Sequence, residues 1–326
     1  MQQKKSWTKS FDQHTLLLFL LSVLIIAFMG FYKPKFLGNA NLQSMLVQLP
    51  EYGILAFGMM IAMVSGGIDL SLVGIANLSG IVAAVVMLRF GGTPAAITAG
   101  ICCALAVGVL CGMFNGFLIG YLKIPAMLVT LSGLQVFSGL CLIITKGPAI
   151  TGLPESFAKI ANATFFGVIP YSALVFILIV VALSYLMNQT VFGRQLYLMG
   201  TNTVAASFTG INILRTTVRA YVLSGILGSI AGILMASHYN SAKSDYGSFY
   251  TLLTLLIVVL GGIDPNGGDG KTQGVVFSII LLQLVSSAFN ILRINAFIKT
   301  FAWGLILIFV LAVLNIPKII REQKKG

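Results

Sequence analysis

The stretch "GILAFGMMIAMVSGGIDLSLVGIANLSGIVAAVVMLR" (residues 53–89) holds two long apolar runs separated by the short break GGIDLS (66–71). The first run reaches back to about residue 42, so each is close to the ~20 apolar residues that carry a helix across a ~30 Å hydrocarbon core. Water cannot solvate two such runs in tandem, so they belong in a bilayer. There the chain must satisfy its backbone hydrogen bonds internally, as a helix of this length does. Gly66 and Gly67 permit a helix to end abruptly. Asp69 stands where its carboxylate can accept from the N–H groups of Ser71 and Leu72 at the positive end of the next helix.

The rest of the 326 residues agrees with this stretch: 58% are hydrophobic, 9% are charged and the mean hydropathy is +0.99. Apolar runs lie at about 15–31, 42–64, 70–89, 94–121, 124–145, 169–188, 217–237, 249–261, 273–291 and 299–316. This predicts an all-α integral membrane protein of about ten transmembrane helices in one domain spanning 1–326. The eighth run is short, and extension into "DYGSFYTLL" completes it. The run at 15–31 is a first span rather than a cleaved signal, since no A-x-A-like site follows.

A net charge of +12 in a soluble chain suggests nucleic acid, but here Lys and Arg occupy loops and termini and read as topology signals and lipid contacts. An even number of spans puts both termini on one side. Lys4, Lys5 and Lys9 in the tail 1–14, and Lys318, Arg321, Lys324 and Lys325 in the tail 317–326, make that side cytoplasmic. Lys33, Lys35, Arg89, Lys146 and Lys159 fall opposite, so the asymmetry rests on the tails. Cys102, Cys103, Cys111 and Cys141 lie inside apolar runs without metal-ligand spacing and read as small buried hydrophobes.

The second GGID runs into "PNGGDGKT" (265–272), one residue from the phosphate-loop pattern GxxxxGK[ST], with Pro265 at the first position. Such a loop works after a strand in a folded nucleotide domain, and here a membrane helix precedes it. Its residues read instead as a turn. Gly261 and Gly262 end one helix, Asp264 and Pro265 start the turn, and Gly267, Gly268 and Gly270 supply positive φ. Asp269 or Thr272 then caps the next helix. Gly112, Gly116 and Gly120 form one small-residue face, and Ser224, Gly228 and Gly232 another, as packing seams do in lipid.

Within the spans, Asn77, Asn115, Gln135, Gln283 and Asn290 can bond a hydroxylated solute or a neighbouring helix; Asn77, Asn115, Gln135 and Asn290 are the candidate pathway residues. Glu51, beside Pro50 and three residues from Gln48, reads as solvated or hydrogen-bonded near the outer end of its helix. His238 falls in an external loop. The cytoplasmic segment 189–216 is long for a loop in a compact bundle. Asn202 or Thr203 can start a short helix over "VAASF" that Gly210 ends, and so short a helix needs a surface to pack on. The modest hydrophobicity of Ala205 and Ala206 favours a protein partner over deep insertion in lipid.

The blocks "VSGGIDLSLVGIANLSGIVAA", "IPAMLVTLSGLQVFSGL", "FGRQLYLMGTNTVAASFTGINI", "YVLSGILGSIAGILMAS" and "VVLGGIDPNGGDGKTQG" resemble, over about residues 45–312, the sugar permeases of ATP-binding-cassette importers. These belong to the larger sugar and branched-chain amino acid permease group. Two positions depart from that pattern: Val73 stands where a Gly is usual, and Asp264 where a small hydroxyl residue is usual. The resemblance implies a multi-pass permease of the bacterial inner membrane. It would pair with an identical or similar permease, receive a monosaccharide-type solute from a periplasmic binding protein, and bind no cofactor itself, ATP being hydrolysed by a partner ATPase. Arg194, Gly200, Asn202, Ala205, Ala206 and Gly210 would then belong to the coupling segment that docks on the ATPase. The alternatives are transport of a branched-chain amino acid or another small solute, or ion-coupled secondary transport, for which Asp69 and Glu51 are the carboxylates near membrane depth.

Overall fold

The computed structural model describes residues 13–323. Its helices are α1 Gln13–Tyr32, α2 Asn39–Val64, α3 Leu72–Arg89, α4 Pro94–Gly120, α5 Ala126–Thr145, α6 Glu155–Asn162, α7 Tyr171–Gln189, α8 Val191–Thr201, α9 Thr203–Phe208, α10 Ile213–Tyr239, α11 Tyr250–Leu260, α12 Thr272–Ile291 and α13 Ala296–Gln323. A 3-10 turn covers Pro34–Leu37. Two short antiparallel pairs join β1 (Ile150–Thr151) to β4 (Ser241–Ala242) and β2 (Thr164–Phe165) to β3 (Ile169–Pro170). Lys4, Lys5, Lys9, Lys324 and Lys325, on which the expected orientation rests, lie outside the described residues. The expected tail from 317 is helical as far as Gln323, as the last part of α13.

Among the described residues, 8 helices are long and apolar enough to cross a membrane: α1 from His14, α2, α3, α4, α5, α7, α10 and α12. Two shorter apolar helices, Tyr250–Leu260 and the Phe297–Val310 portion of α13, take the places of the eighth and tenth expected spans. The extension of the eighth run does not form. Asn240 ends α10 in the left-handed conformation (φ 48°), and residues 241–249 fold into a bridge and turns. The Asn77 amide pins that segment by donating to the carbonyls of Ser244 (2.9 Å) and Tyr246 (3.0 Å). What remains, α11, is 11 residues long. At 1.5 Å per residue it spans about half a bilayer core, which membranes accept where protein encloses the segment. Leu256, Ile257 and Val258 are accordingly buried.

Helices α2 and α10 form the centre, buried on nearly all sides, while α1, α4, α5 and α7 turn apolar faces outward. Lipid tails supply no hydrophobic drive between helices, so close approach of backbones must hold the centre together. A methyl added to Gly112 would strike the Tyr221 carbonyl and lie 2.8 Å from the Val222 Cα; one on Gly116 would lie 2.7 Å from the Val218 Cα. Gly108 and Gly225 face each other across the same α4–α10 crossing, and Gly232 sits against the Ala76 backbone where α10 crosses α3. The small-residue faces are packing seams. Cys111 and Cys141 are buried as expected, but Cys102 and Cys103 face outward from α4.

The helix directions divide the bundle into two ends. One carries α8 and α9 with the ends of α2, α4 and α11 and the starts of α3, α5, α10 and α12. The other carries α6, whose Asn162 amide donates to the carbonyls of Ser237 (3.2 Å) and His238 (3.3 Å) at the end of α10, together with the two strand pairs.

Candidate functional site

At the α9 end, the segment read as a long loop is a run of capped helices. Thr190 Oγ1 accepts from the Gly193 N–H (3.1 Å) to start α8, and Asn202 Oδ1 accepts from the Ala205 N–H (2.9 Å) to start α9. Asn212 Oδ1 accepts from the Arg215 N–H (2.9 Å) to start α10, so that span begins at Ile213 rather than 217. Gly210 turns the chain at φ 82°. A side-chain acceptor at each start satisfies an amide that the first turn leaves free. Arg194 and Ala205 are exposed, but Ala206 is buried (3%) and forms the attachment of α9 to the bundle. Val204 and Phe208, 64% and 88% exposed, give α9 an apolar outer face that its sequence does not single out.

Gly200, at the end of α8, sits in a junction of three backbones. A methyl there would collide with the Val64 carbonyl and the Gly268 amide, and one on Gly267 would lie 2.6 Å from the Gly66 Cα. The Gly268 N–H donates to the Val64 carbonyl (3.0 Å), and the Tyr197 hydroxyl donates to the Gly270 carbonyl (2.9 Å). The two GGID-bearing turns therefore meet, through glycines, at the base of the α8–α9 segment. Within the second turn Asp264 Oδ1 accepts from the Asn266 N–H (2.9 Å), and Gly262, Gly267, Gly268 and Gly270 all have positive φ. The expected cap on the following helix is absent: α12 starts after Lys271 without a side-chain cap, and Asp269 Oδ1 accepts instead from the adjacent Gly270 N–H (2.7 Å). Thr272 is buried as the first helical residue.

Between α2 and α3 the chain leaves helix at Val64 and re-enters it at Leu72, with Gly66 at φ 89°. The Gly67 N–H donates back to the Ala62 carbonyl (2.9 Å). Asp69 is fully buried. Its Oδ1 accepts from the N–H (3.1 Å) and the hydroxyl (2.6 Å) of Ser71, and its Oδ2 accepts from the Ser224 hydroxyl of α10 (2.7 Å) rather than from the Leu72 N–H. The Asn115 amide of α4 donates to the Ser71 hydroxyl (2.8 Å), and the Thr130 hydroxyl of α5 donates to the Ile68 carbonyl (2.8 Å). Three spans hold the break. Ser224 appears in the sequence as one position of a small-residue stripe; its hydroxyl partner lies 155 residues away.

A second buried carboxylate lies deeper toward the α6 end. Glu51 is 1% exposed, not solvated. Its Oε1 pairs with His238 Nδ1 (2.5 Å), and its Oε2 accepts from the hydroxyls of Tyr239 (3.1 Å) and Tyr250 (2.8 Å). His238 stands in the last turn of α10, not in a loop. Gln48 bonds Ser44 instead (2.8 Å). Glu51 thereby ties α2 to the end of α10 and the start of α11, and Tyr52 beside it bonds Gln283 of α12.

The residues expected to line a pathway do not converge. Asn77 clamps the 244–246 turn, Asn115 supports the helix break, Gln135 is exposed at mid-length on α5, and Asn290 bonds the Lys299 ammonium. Sequence periodicity places each on a helix but not on a common face of the assembled bundle.

The chain is similar along most of its length to proteins of known role. It is 34% identical to the L-arabinose transport system permease protein AraH of Escherichia coli (strain K12), covering 93% of this chain and 90% of that protein. It is 33% identical to the ribose import permease protein RbsC of Bacillus subtilis (strain 168), covering 89% of each. It is 32% identical to the autoinducer 2 import system permease protein LsrC of Yersinia enterocolitica, covering 83% of this chain and 75% of that protein. No solved structure matches. The family described as branched-chain amino acid transport system / permease component matches residues 41–314, a range that takes in the helix break, α8, α9 and both GGID turns. The chain is a member of that permease family.

Proposed function

We propose that this chain is the membrane permease of an ATP-binding-cassette importer for a monosaccharide-sized solute: a pentose, a hexose or an autoinducer-2-like compound. The observation that carries the reading is its similarity over most of its length to permeases of arabinose, ribose and autoinducer 2 import, joined to an exposed, capped helix α9. In this reading the protein lies in the bacterial inner membrane with the α9 end and both termini cytoplasmic. It pairs with an identical or similar permease and takes solute from a periplasmic binding protein. A separate ATPase subunit hydrolyses ATP and docks on α9 through Val204, Ala205 and Phe208. The glycine junction supports a direct route for the coupling: Gly200 touches Val64, Gly66 is against Gly267, and no compressible side chain lies between them. A push on α9 shifts α8, and α8 bears on the helix break and the 261–271 turn as one rigid body.

Proteoliposomes containing this chain, its ATPase and its binding protein should take up the solute only with ATP, and uptake in the absence of the ATPase would overturn the reading. Arabinose, ribose and autoinducer 2 offered in competition identify the solute. Ala205→Glu places a charge on the outer face of α9 without touching its buried side, and should abolish co-purification with the ATPase while the permease elutes normally in detergent.

A further inference from the structure

Behind α9 lies an open cleft of about 630 Å³, lined by the end of α2, the α4–α5 turn, α9 itself and the start of α10. This is the size of a small-molecule site, about 300–1,000 Å³. Three of its features point to an oxygen-rich, anionic occupant. Lys123 lines it, has no ion-pair partner among the described residues, and is held in the left-handed conformation (φ 55°), which is uncommon for a non-glycine residue. Ala126, also in the wall, opens the 20-residue helix α5, whose start has no side-chain cap; the Leu128 and Val129 N–H groups donate to the Pro125 carbonyl, which leaves those of Ala126 and Met127 open to an acceptor. Tyr221 is 1% exposed, lines the same cleft beside Gly67, and its hydroxyl has no hydrogen-bond partner among the described residues. A buried hydroxyl left without a partner is uncommon and calls for a missing acceptor. None of the lining residues is acidic, and the nearby Asp69 has both oxygens engaged by Ser71 and Ser224.

The geometry points to a binding site for a phosphate-bearing polyol, with the phosphate at Lys123 and the start of α5 and an oxygen of the ligand accepting from the Tyr221 hydroxyl. The remaining wall, including Ile119, Met199 and Leu214, suits the carbon skeleton. Thr203 and Ser207 of α9 line the cleft opposite Gly66 and Gly67, so an occupant bridges α9 to the helix break and fixes their separation. The site is then regulatory: it sets the position of the segment through which α8 and α9 act on the spans. Binding itself is independent of the transport reading; only its assignment to the cytoplasmic side rests on it.

Two sources carry this chemistry, a soluble sugar phosphate and the glycerophosphate headgroup of a bilayer lipid, and the test separates them. The full chain in nanodiscs of phosphatidylcholine is titrated with glycerol 3-phosphate, and in parallel is placed in nanodiscs containing phosphatidylglycerol with no soluble ligand. Hydrogen exchange is followed at 123–128 and 203–208, and calorimetry gives the affinity of the soluble probe. Saturable binding with slowed exchange at both segments supports the soluble source; the same protection in phosphatidylglycerol alone supports the lipid source. In either arm Lys123→Gln should weaken the effect about tenfold, the scale of a charge-assisted hydrogen bond. Tyr221→Phe, which keeps the ring and removes the hydroxyl, should weaken it several-fold. Absence of protection in both arms, or protection that Lys123→Gln leaves unchanged, overturns the proposal. Uptake with ATP in phosphatidylcholine vesicles without added glycerol 3-phosphate reports on transport separately.

Discussion

Asp69 shows how a single carboxylate can organise a break in a membrane helix. It takes hydrogen bonds from its own segment and from α10, in surroundings where an unmet hydroxyl or carboxylate is costly. Asp69→Ala strands the Ser71 and Ser224 hydroxyls and should destabilise by about 1–3 kcal/mol. Asp69→Asn keeps one acceptor and should lose less, and Ser224→Ala, which removes one donor, about 1 kcal/mol. Thermal unfolding in a fixed detergent ranks the three, and a loss for Ser224→Ala greater than for Asp69→Ala contradicts the assignment of Asp69 as the hub. Glu51→Ala should likewise cost more than His238→Gln in the same assay, because it removes the acceptor for three side chains at once. The bond from the Ser71 N–H to Asp69 was legible from GGIDLS, since Ser71 is a near neighbour, but α3 itself starts without a side-chain cap. The bonds to Glu51 were not legible, because its partners lie 187 to 199 residues away and nothing in local spacing announces them.

At the scale of an element, α9 has 6 residues, too few to persist alone, and rests on its cap and on Ala206. Asn202→Ala should cost about 1 kcal/mol locally and raise amide exchange over 203–208 while leaving α10 protected, as hydrogen exchange can read directly. If exchange across 203–208 is unchanged, the cap is not what holds the helix. Gly200→Ala tests the junction below it. The colliding atoms belong to the backbone of Val64 and Gly268, which cannot rotate away, so two turns must separate. If α9 docks on an ATPase as proposed, solute uptake should fall sharply while co-purification with the ATPase persists, because the junction that opens lies inside the permease and leaves the outer face of α9 intact. The short helix was readable from Asn202 and Gly210. Helix α8 was not, because "VFGRQLYLMGT" mixes glycines and polar residues in a pattern that becomes helical only when Leu196 and Met199 find the core.

For the whole molecule, stability depends on how closely α10 approaches α3 and α4. Gly112→Val puts side-chain atoms where the Tyr221 carbonyl stands and should destabilise by about 1–3 kcal/mol, the usual cost of overpacking. Gly304→Val, at a glycine with open space around it, should be tolerated in the same unfolding assay. Equal losses at the two positions would mean that the α4–α10 crossing is not the seam described.

Hydropathy and run length by themselves determined a helical membrane protein, and the glycine and cap positions determined where helices break, because bilayer thickness and terminal hydrogen bonding act over one helix at a time. The tertiary structure decided what those breaks meet. Only the folded chain brings Gly66, Gly200 and Gly267 together, turns Ser224 toward Asp69, buries Glu51 among His238, Tyr239 and Tyr250, and shortens α11 to a half-span. Each of these depends on the meeting of distant segments, and in lipid such meetings are selected by backbone approach and hydrogen-bond pairing, which a hydropathy pattern does not encode.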